Sequence, residues 1–390
     1  MTETPARPNP VIALVAGEAS GDLLGAALAE RLRQQWPQAR LVGVAGPGMQ
    51  SAGVEAWWDI EQLAVMGLFE VVRHFRRLLA LRNTLRDRLL ELRPDVVVGI
   101  DAPDFNLGLE IQLRRAGLQT VHYVSPTVWA WRRRRVHKIA RAADTVLCLF
   151  PFEPAFYEGH GVAAEYVGHP MADQIPPSTD PAAEKRSARS QLGLPTEPET
   201  VALLPGSRLS EVRLLARPML EAAAQLSRKR PGIRFVAAMA NAGAEACFRA
   251  ALQESGGIEV ACFRDRSRSV IGAADVVLCA SGTATLETML VNRPLVMAYR
   301  LARSTYLAAR YLGIVRRQLF ALPNILAGEE LVPELIQQEA SADRLAAAAE
   351  RWLGDEAARA SLHARFAGLH RELRCDAAGR AAEAVARQLG

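Results

Sequence analysis

The chain has 390 residues, of which 50% are hydrophobic and 23% are charged, a balance typical of a globular protein long enough for two domains. Its formal net charge of +5 favours anionic partners such as nucleotides, phospholipid headgroups or nucleic acid, and excludes no class by itself. No run approaches the roughly 20 apolar residues that span a bilayer, and the N-terminus lacks a signal-peptide pattern. The five cysteines show no metal-ligand spacing, so we expect a cytoplasmic protein with reduced thiols.

Short apolar runs alternate with longer helical patterns along most of the chain. In the first half the predicted strands are residues 11–16, 41–46, 95–100, 120–124 and 145–150. In the second half they are residues 201–204, 234–239, 258–263, 275–280 and 294–299. Strands and helices in alternation predict parallel sheets with helices on both faces. We therefore expect an α/β protein with two Rossmann-like domains that face each other across a cleft.

Changes in composition predict the domain boundaries. Residues 1–172 form the expected N-terminal domain and residues 201–340 the expected C-terminal domain. Between them, residues 173–200 are rich in Pro, Ser and charge, which predicts a linker with room for one short helix. The Ala- and Arg-rich residues 341–390 predict helices.

The loop AGEASGDLLGA (16–26) after the first predicted strand departs from a dinucleotide-binding fingerprint. Its glycines are not spaced as GxGxxG, and Glu18 and Asp22 would repel a pyrophosphate at the start of the next helix. Glu18 is therefore a candidate for binding sugar hydroxyls or assisting a base. Helix capping is the structural alternative.

Residues 63–82 mix apolar side chains with Arg73, Arg76, Arg77 and Arg82. Such a stretch either lies on an anionic membrane surface or packs as a helix with a solvated basic face. The apolar members are Val65, Met66, Leu68, Phe69, Val72 and Phe75.

The run GIDAPDFN (99–106) places two carboxylates just after a buried strand. Asp101 and Asp104 lie where ligands bind in open parallel sheets, and no Lys or Arg lies between Asp95 and Arg114 to neutralise them. The pattern is typical of acid/base chemistry or hydroxyl recognition, and equally of a helix cap and a turn beside Pro103.

Two strand ends in the second half have the features of phosphate-binding loops. In LLPGSRLSEV (203–212), Gly206 and Ser207 offer backbone amides and Arg208 brings a fixed charge. In ASGTATLETML (280–290), a helix opens at Thr283, after Ser281 and Gly282, where free amides and the helix dipole favour an anion.

Glu287 lies one helical turn beyond Thr283, on the same face, where its carboxylate can accept hydrogen bonds from ribose hydroxyls. Ordinary strand-to-helix turns and a Ser/Thr cap are the alternatives for these loops. The chain has no HExxH, no DxD pair and no GxSxG elbow, so group transfer without a metal or other cofactor is what remains.

Together these stretches resemble the lipid-A-disaccharide synthases, glycosyltransferases with two Rossmann-like domains in the GT-B architecture. The resemblance covers about residues 11–376. The matching runs are AGEASGD, GVAGPGM, LAVMG, GIDAPDFN, HYVSPTVWAWR, PFEPAFY, YVGHPM, LLPGSR, ASGTATLE and LPNILAGEELVPELIQ.

The resemblance implies a reaction and its location. UDP-2,3-diacylglucosamine donates its sugar to 2,3-diacylglucosamine 1-phosphate, giving a β-1,6 disaccharide 1-phosphate and UDP with inversion. It implies a cytoplasmic enzyme at the inner-membrane surface, without cofactor, metal or nucleic acid. A homodimer with exchanged C-terminal segments is also implied, which leaves open whether residues 341–390 pack on their own N-terminal domain.

The resemblance also assigns roles to residues. Asp101 is the expected base, with Glu18 as second candidate. Asp104, Asn106 and Ser125 are the expected acceptor-binding residues, where Asp104 and Asn106 orient either the sugar hydroxyls or the loop itself. The stretch containing Val65 to Phe75 contacts acyl chains and membrane. The donor is bound by Gly206, Ser207, Arg208, Ser281, Gly282, Thr283, Glu287 and Asn324, and segment exchange in a dimer leaves open whether Asn324 acts at its own site or at the partner's.

Two other functions stay open. Another UDP-sugar enzyme with the same plan, such as an epimerase, would share the two phosphate-binding loops. A non-enzymatic nucleotide- or nucleic-acid-binding protein would use the run WAWRRRR (129–135) as its contact.

Overall fold

The computed structural model describes residues 9–62, 71–126, 135–255, 257–301 and 319–389. The chain divides into two compact units. The first unit contains Met1–Asp173 and Leu373–Gly390, and the second contains Gln174–Glu372.

The first unit is built on seven parallel strands in the order β3-β2-β1-β4-β5-β6-β7. They are β1 (Val11–Ala16), β2 (Arg40–Ala45), β3 (Glu55–Asp59), β4 (Val96–Ile100), β5 (Thr120–Tyr123), β6 (Thr145–Cys148) and β7 (Ala163–Tyr166). The central strands β1 and β4 are almost wholly buried. Such continuous apolar runs are typical of parallel sheets covered on both faces.

Helices cover this sheet. They are α1 (Ala19–Gln35), α2 (Pro47–Ser51), α3 (Val71–Leu92), α4 (Pro103–Arg115), α5 (Val136–Ala142) and α6 (Pro170–Gln174). Helix α3 shows why these segments are helical: Leu81, Leu85 and Leu89 recur every fourth residue and are all buried, while Arg76 and Arg77 are exposed.

The second unit is built on six parallel strands in the order β10-β9-β8-β11-β12-β13. They are β8 (Thr200–Leu204), β9 (Arg234–Met239), β10 (Val260–Arg264), β11 (Val276–Ala280), β12 (Leu295–Tyr299) and β13 (Glu334–Ile336). The two parallel sheets with flanking helices confirm the predicted α/β class. Each of the ten predicted strands has a counterpart, whereas β3, β7 and β13 were not predicted.

The helices of the second unit begin within the segment that composition predicts to be a linker. They are α7 (Pro181–Gln191), α8 (Leu209–Lys229), α9 (Ala242–Glu254), α10 (Ser267–Ala273), α11 (Thr283–Leu290), α12 (Leu322–Ala327), α13 (Ala342–Gly354) and α14 (Glu356–Leu373). Helix α7 is fixed to this unit by Arg189, a buried residue whose guanidinium donates to the carbonyl of Ala273 at 2.9 Å and to Asp275 at 2.8 Å.

The last helix, α15 (Ala377–Ala386), belongs to the first unit. Ala381 and Val385 lie in the same hydrophobic cluster as Leu28 of α1. The carboxylate of Asp173 accepts hydrogen bonds from the N–H groups of Asp376 at 3.0 Å and Ala377 at 2.7 Å, which fixes the start of α15.

Within the described residues, no helix is long and apolar enough to cross a membrane. All five cysteines are free thiols, and Cys148 and Cys279 are buried.

Candidate functional site

Both sheets reverse their strand order at one pair of neighbours, β1 with β4 in the first unit and β8 with β11 in the second. Ligands of open parallel sheets bind beyond the carboxyl ends of the strands at this reversal. The loops that leave these four strands carry Glu18, Asp101, the run 205–208 and the run 281–283. Topology thus places the predicted motifs at the two positions where binding sites form.

In the second unit, a pocket of about 820 Å³ opens at the carboxyl ends of β8, β9 and β11. The structure brings together in it every predicted donor-binding residue except Asn324. These residues are Gly206, Ser207, Arg208, Ser281, Gly282, Thr283 and Glu287.

The loop after β8 is held by a carboxylate of helix α8. Gly206 has φ +118, and a Cβ there would approach the Glu211 carboxylate at 2.5 Å. The same carboxylate accepts from the N–H groups of Ser207 at 3.2 Å and Arg208 at 3.3 Å. The amide of Ser207, expected to face a ligand, is therefore used to fix the loop. The Arg208 guanidinium lies 3.9 Å from the Glu211 carboxylate, a long ion pair, and the side chain is 81% exposed, so most of its donors remain open to a ligand.

The loop after β11 leaves room for a ligand at the start of α11. Gly282 has φ +125, and a Cβ placed on it would meet no heavy atom within 4 Å. One turn into the helix, the Glu287 carboxylate accepts a hydrogen bond from the Ser267 hydroxyl at 2.8 Å. Ser267 therefore orients Glu287 within the pocket.

The same pocket contains polar residues that the sequence analysis missed. They follow β10 and begin α10: Asp265, Arg266, Ser267, Arg268 and Ser269. The sequence contains the pattern that would have indicated them: this polar run comes directly after a strand, as the two predicted loops do.

In the first unit, the chain is strained where β4 ends. Asp101 has φ +52 and Ala102 has φ +43, a region that residues with a Cβ seldom adopt. The N–H of Asp101 donates to the carbonyl of Tyr123 at 2.8 Å, and this hydrogen bond helps to hold the backbone in the strained conformation. The Ser20 hydroxyl lies 3.5 Å from the Asp101 carboxylate, so the first turn of α1 approaches the same loop. Strained backbone of this kind clusters at functional sites.

Asp101 and Ser125 line a second, smaller pocket of about 210 Å³ in the first unit. Ser125 is buried, and its hydroxyl lies 2.7 Å from the hydroxyl of Tyr157. Glu18 is exposed at the start of α1 and makes no capping hydrogen bond with its side chain, which leaves its carboxylate open.

Comparison with known proteins decides the family. Residues 12–385 match the family described as lipid-A-disaccharide synthetase. Lipid-A-disaccharide synthase of Xanthomonas campestris pv. campestris (strain 8004) is 48% identical over 382 residues, 97% of this chain and 86% of that protein. The enzyme of Xylella fastidiosa (strain M12) is 48% identical over 97% of this chain and 98% of its own length. The chain belongs to the lipid-A-disaccharide synthase family. It is an enzyme, a glycosyltransferase of lipid A biosynthesis, and lipid A precursor sugars are its substrates.

Solved structures share the fold of this lipid-A-disaccharide synthase at low sequence identity. A putative UDP-N-acetylglucosamine 2-epimerase from Listeria monocytogenes superposes with a TM-score of 0.63 at 13% identity, over 97% of this chain and 95% of its own. MurG from Acinetobacter baumannii superposes with a TM-score of 0.59 at 16% identity, over 97% of this chain and 100% of its own. These likenesses establish the GT-B fold.

Asn324 of this synthase family member has its carboxamide fully engaged. It is buried, and its Nδ2 donates to the carbonyl of Val332 and to Glu334, both at 2.8 Å. Its Oδ1 accepts from the N–H groups of Leu331 at 2.8 Å and Val332 at 2.9 Å. The structure does not place Asn324 among the residues that line the 820 Å³ pocket.

Asn106 is also occupied by the backbone. Its Nδ2 lies near three carbonyls, those of Val15 at 3.1 Å, Ile100 at 3.3 Å and Asp101 at 2.9 Å, and the residue is fully buried. Asn106 thus joins the ends of β1 and β4 and fixes the Asp101 loop. The third predicted acceptor residue, Asp104, is exposed and forms an ion pair with Arg135.

Asp22, predicted to repel a phosphate at the start of α1, has a structural role. Its buried carboxylate accepts from the N–H groups of Gly46 at 2.8 Å, Gly48 at 2.8 Å and Met49 at 3.0 Å. It therefore ties the loop before α2 to helix α1.

The side chains predicted to contact the membrane belong to the part of the chain that the structure does not describe. Val65, Met66, Leu68 and Phe69 lie outside the described residues, as do the side chains of Val72 and Phe75 in α3.

Proposed function

We propose that this enzyme transfers the sugar of UDP-2,3-diacylglucosamine to the 6-hydroxyl of 2,3-diacylglucosamine 1-phosphate. The products are the β-1,6-linked disaccharide 1-phosphate and UDP, and the anomeric carbon is inverted. One observation supports the donor assignment: a single pocket at the strand reversal of the second unit contains both phosphate-type loops and a carboxylate suited to ribose.

The donor diphosphate binds between the two loops of this pocket. The exposed guanidinium of Arg208 offsets the charge that develops as UDP leaves, and the hydroxyls of Ser281 and Thr283 at the start of α11 donate hydrogen bonds to it. Glu287, held by Ser267, accepts hydrogen bonds from the ribose hydroxyls. These groups perform the task for which other transferases use a divalent metal.

The base that deprotonates the 6-hydroxyl is Asp101. Its carboxylate lines the small pocket of the first unit, and Asn106 fixes its backbone carbonyl. A base must be held within hydrogen-bond reach of the proton that it removes, and a rigid, strained turn meets that requirement. Glu18, at the end of the neighbouring strand β1, is the second candidate.

The decisive experiment supplies the purified protein with both diacylated sugars. We expect disaccharide and UDP in equal amounts, at a rate unchanged by a chelator. Isomerised UDP-sugar without disaccharide would show an epimerase instead. Salt-dependent RNA binding without UDP affinity would support the nucleic-acid alternative.

Three variants separate the roles. Asp101→Asn should abolish turnover and leave UDP affinity nearly unchanged, because it removes the base and keeps the size of the side chain. Arg208→Ala should weaken UDP binding about tenfold or more in calorimetry, since a charge-assisted phosphate contact is lost. Wild-type turnover in Asp101→Asn, with loss in Glu18→Gln, would move the base to Glu18.

We also propose that the enzyme is cytoplasmic and contacts the inner-membrane surface through residues 63–82. The exposed Arg76 and Arg77 of α3, which lie within this stretch, support this because anionic lipids attract basic side chains. Replacing Val65, Met66, Leu68 and Phe69 by Ser should reduce sedimentation with anionic vesicles while circular dichroism stays unchanged. Loss of folding instead would make this stretch part of the core. Sedimentation velocity tests the proposed homodimer.

A further inference from the structure

The small pocket of the first unit contains a guanidinium as well as a carboxylate. Asp101 reaches it from the end of β4, and Arg135 reaches it from the residue that precedes α5. Apolar groups of Leu149 and Phe150 form another part of its wall. The pocket therefore offers one basic and one acidic contact within about 210 Å³.

The second carboxylate of this pocket belongs to Glu153. Glu153 is buried, and its Oε2 accepts from the N–H groups of Leu149 and Phe150, both at 3.0 Å. These two hydrogen bonds fix the loop that follows β6.

Backbone strain marks the same pocket from a second strand. Val124, which follows β5, has φ +82, a value that is a genuine outlier for a β-branched residue. Together with Asp101 it places strained residues after two neighbouring strands, and both residues line this pocket. Such strain persists only where the surrounding structure enforces it, as it does around ligands.

Arg135 has a partner that a ligand can replace. It pairs with Asp104, whose side chain is 84% exposed while that of Arg135 is 22% exposed. An ion pair with so exposed a carboxylate adds little stability. A phosphate monoester carries more charge and offers several oxygens to the planar guanidinium, so it competes well for Arg135.

From this geometry we infer that Arg135 binds the 1-phosphate of the acceptor sugar, an inference that rests on the proposed transfer reaction. The acceptor carries its phosphate at C1 and its nucleophilic hydroxyl at C6, and C1 and C5, which bears C6, both flank the ring oxygen. Because Arg135 and Asp101 line the same pocket, binding of the phosphate to Arg135 keeps the 6-hydroxyl near Asp101. Arg135 is a specificity determinant that selects phosphorylated acceptors and takes no part in bond making.

The test compares two acceptors in steady-state kinetics: 2,3-diacylglucosamine 1-phosphate and the same sugar without phosphate. For wild type we expect kcat/KM to fall about 100-fold when the phosphate is absent, the size of a charged hydrogen-bonded contact. In Arg135→Ala the two acceptors should become nearly equal, because only the phosphorylated acceptor loses a contact. Arg135→Lys should keep an intermediate preference, since lysine retains the charge and loses the bidentate geometry.

A matched control removes a different ion pair of the first unit. Arg31 pairs with Asp376 at 2.8 Å, with both side chains about half exposed, and Arg31→Ala should keep the wild-type preference. An equal loss on both acceptors in Arg135→Ala, with the preference intact in Arg135→Lys, would overturn the inference and make Arg135 structural. A wild-type enzyme indifferent to the phosphate would overturn it as well. If wild type makes disaccharide from neither acceptor, the proposed reaction itself has failed.

Discussion

His169 is a buried histidine whose protonation should destabilise the first unit at acidic pH. The residue is 9% exposed, and its ring lies 5.4 Å from that of Phe150 between centroids. Its Nδ1 accepts a hydrogen bond from the N–H of Met171 at 3.2 Å, which requires that nitrogen to be unprotonated. Burial lowers the pKa of His169 from 6.5 to about 4.

The sign and size of the effect follow from this pKa. The folded state prefers the neutral ring, so the stabilisation is complete above about pH 6.5 and is lost as the pH falls toward 4. Each tenfold difference in proton affinity between the folded and unfolded states corresponds to about 1.36 kcal/mol. The free energy of unfolding therefore falls by about 3 kcal/mol in total, and by about 2 kcal/mol when the pH reaches 5.

The assay measures urea unfolding at pH 7 and pH 5 by tryptophan fluorescence, in a Trp352→Phe background. Trp352 is the one tryptophan in the sequence of residues 174–372, so the remaining tryptophans report on the first unit. In this background His169→Asn keeps an acceptor for Met171 and removes the titration. Its loss of stability between the two pH values should be about 2 kcal/mol smaller than that of the parent.

The control is His160→Asn, which alters an exposed histidine of the same unit and should keep the parent's pH dependence. Equal losses in His169→Asn and the parent would refute the reasoning, because other titrating groups cancel in the comparison.

Three other substitutions test the packing and the site. Gly99→Ala would bring a Cβ within 2.0 Å of the buried Glu110 carboxylate, so it should lower the free energy of unfolding of the first unit by about 2 kcal/mol in urea. The control is Gly368→Ala, whose Cβ would meet no heavy atom within 4 Å and should not lower the free energy of unfolding. Asn324→Ala removes the hydrogen bonds that hold the chain before β13, and should destabilise the second unit by about 2–4 kcal/mol by the same method. Glu287→Ala should raise the Kd for UDP about tenfold in calorimetry with unfolding unchanged; an unchanged Kd would remove Glu287 from the donor site.

Burial explains which strands could be predicted from the sequence. The central strands are continuous apolar runs, and β1 was predicted with the bounds that the structure shows. The three missed strands, β3, β7 and β13, all lie at sheet edges. Their residues are only partly buried, as in the runs EAWWD and AAEY, so they lack the apolar pattern by which a strand is recognised.

The sequence indicates which loops lie at the carboxyl ends of the central strands better than it indicates what each polar side chain there contacts. Gly, Ser and Arg after a buried strand single out the loops after β8 and β11, and residues of both loops line one pocket. Asn106 and Asn324 are both predicted to act at the site, and the structure shows that each also holds carbonyls or amides of neighbouring segments. A polar residue in a short motif looks the same in either role, and only its hydrogen-bond partners distinguish them.

The return of the chain to the first unit has a consequence for the order in which the protein can fold. A ribosome completes residues 174–372 before it makes Ala381 and Val385, which belong to the core beside Leu28. The half of the protein that is translated first is therefore the last to receive its full core, although domains usually fold in order of synthesis. A premature stop codon between Leu373 and Ala377 would remove α15 from the N-terminal unit while leaving every residue of the second unit in place.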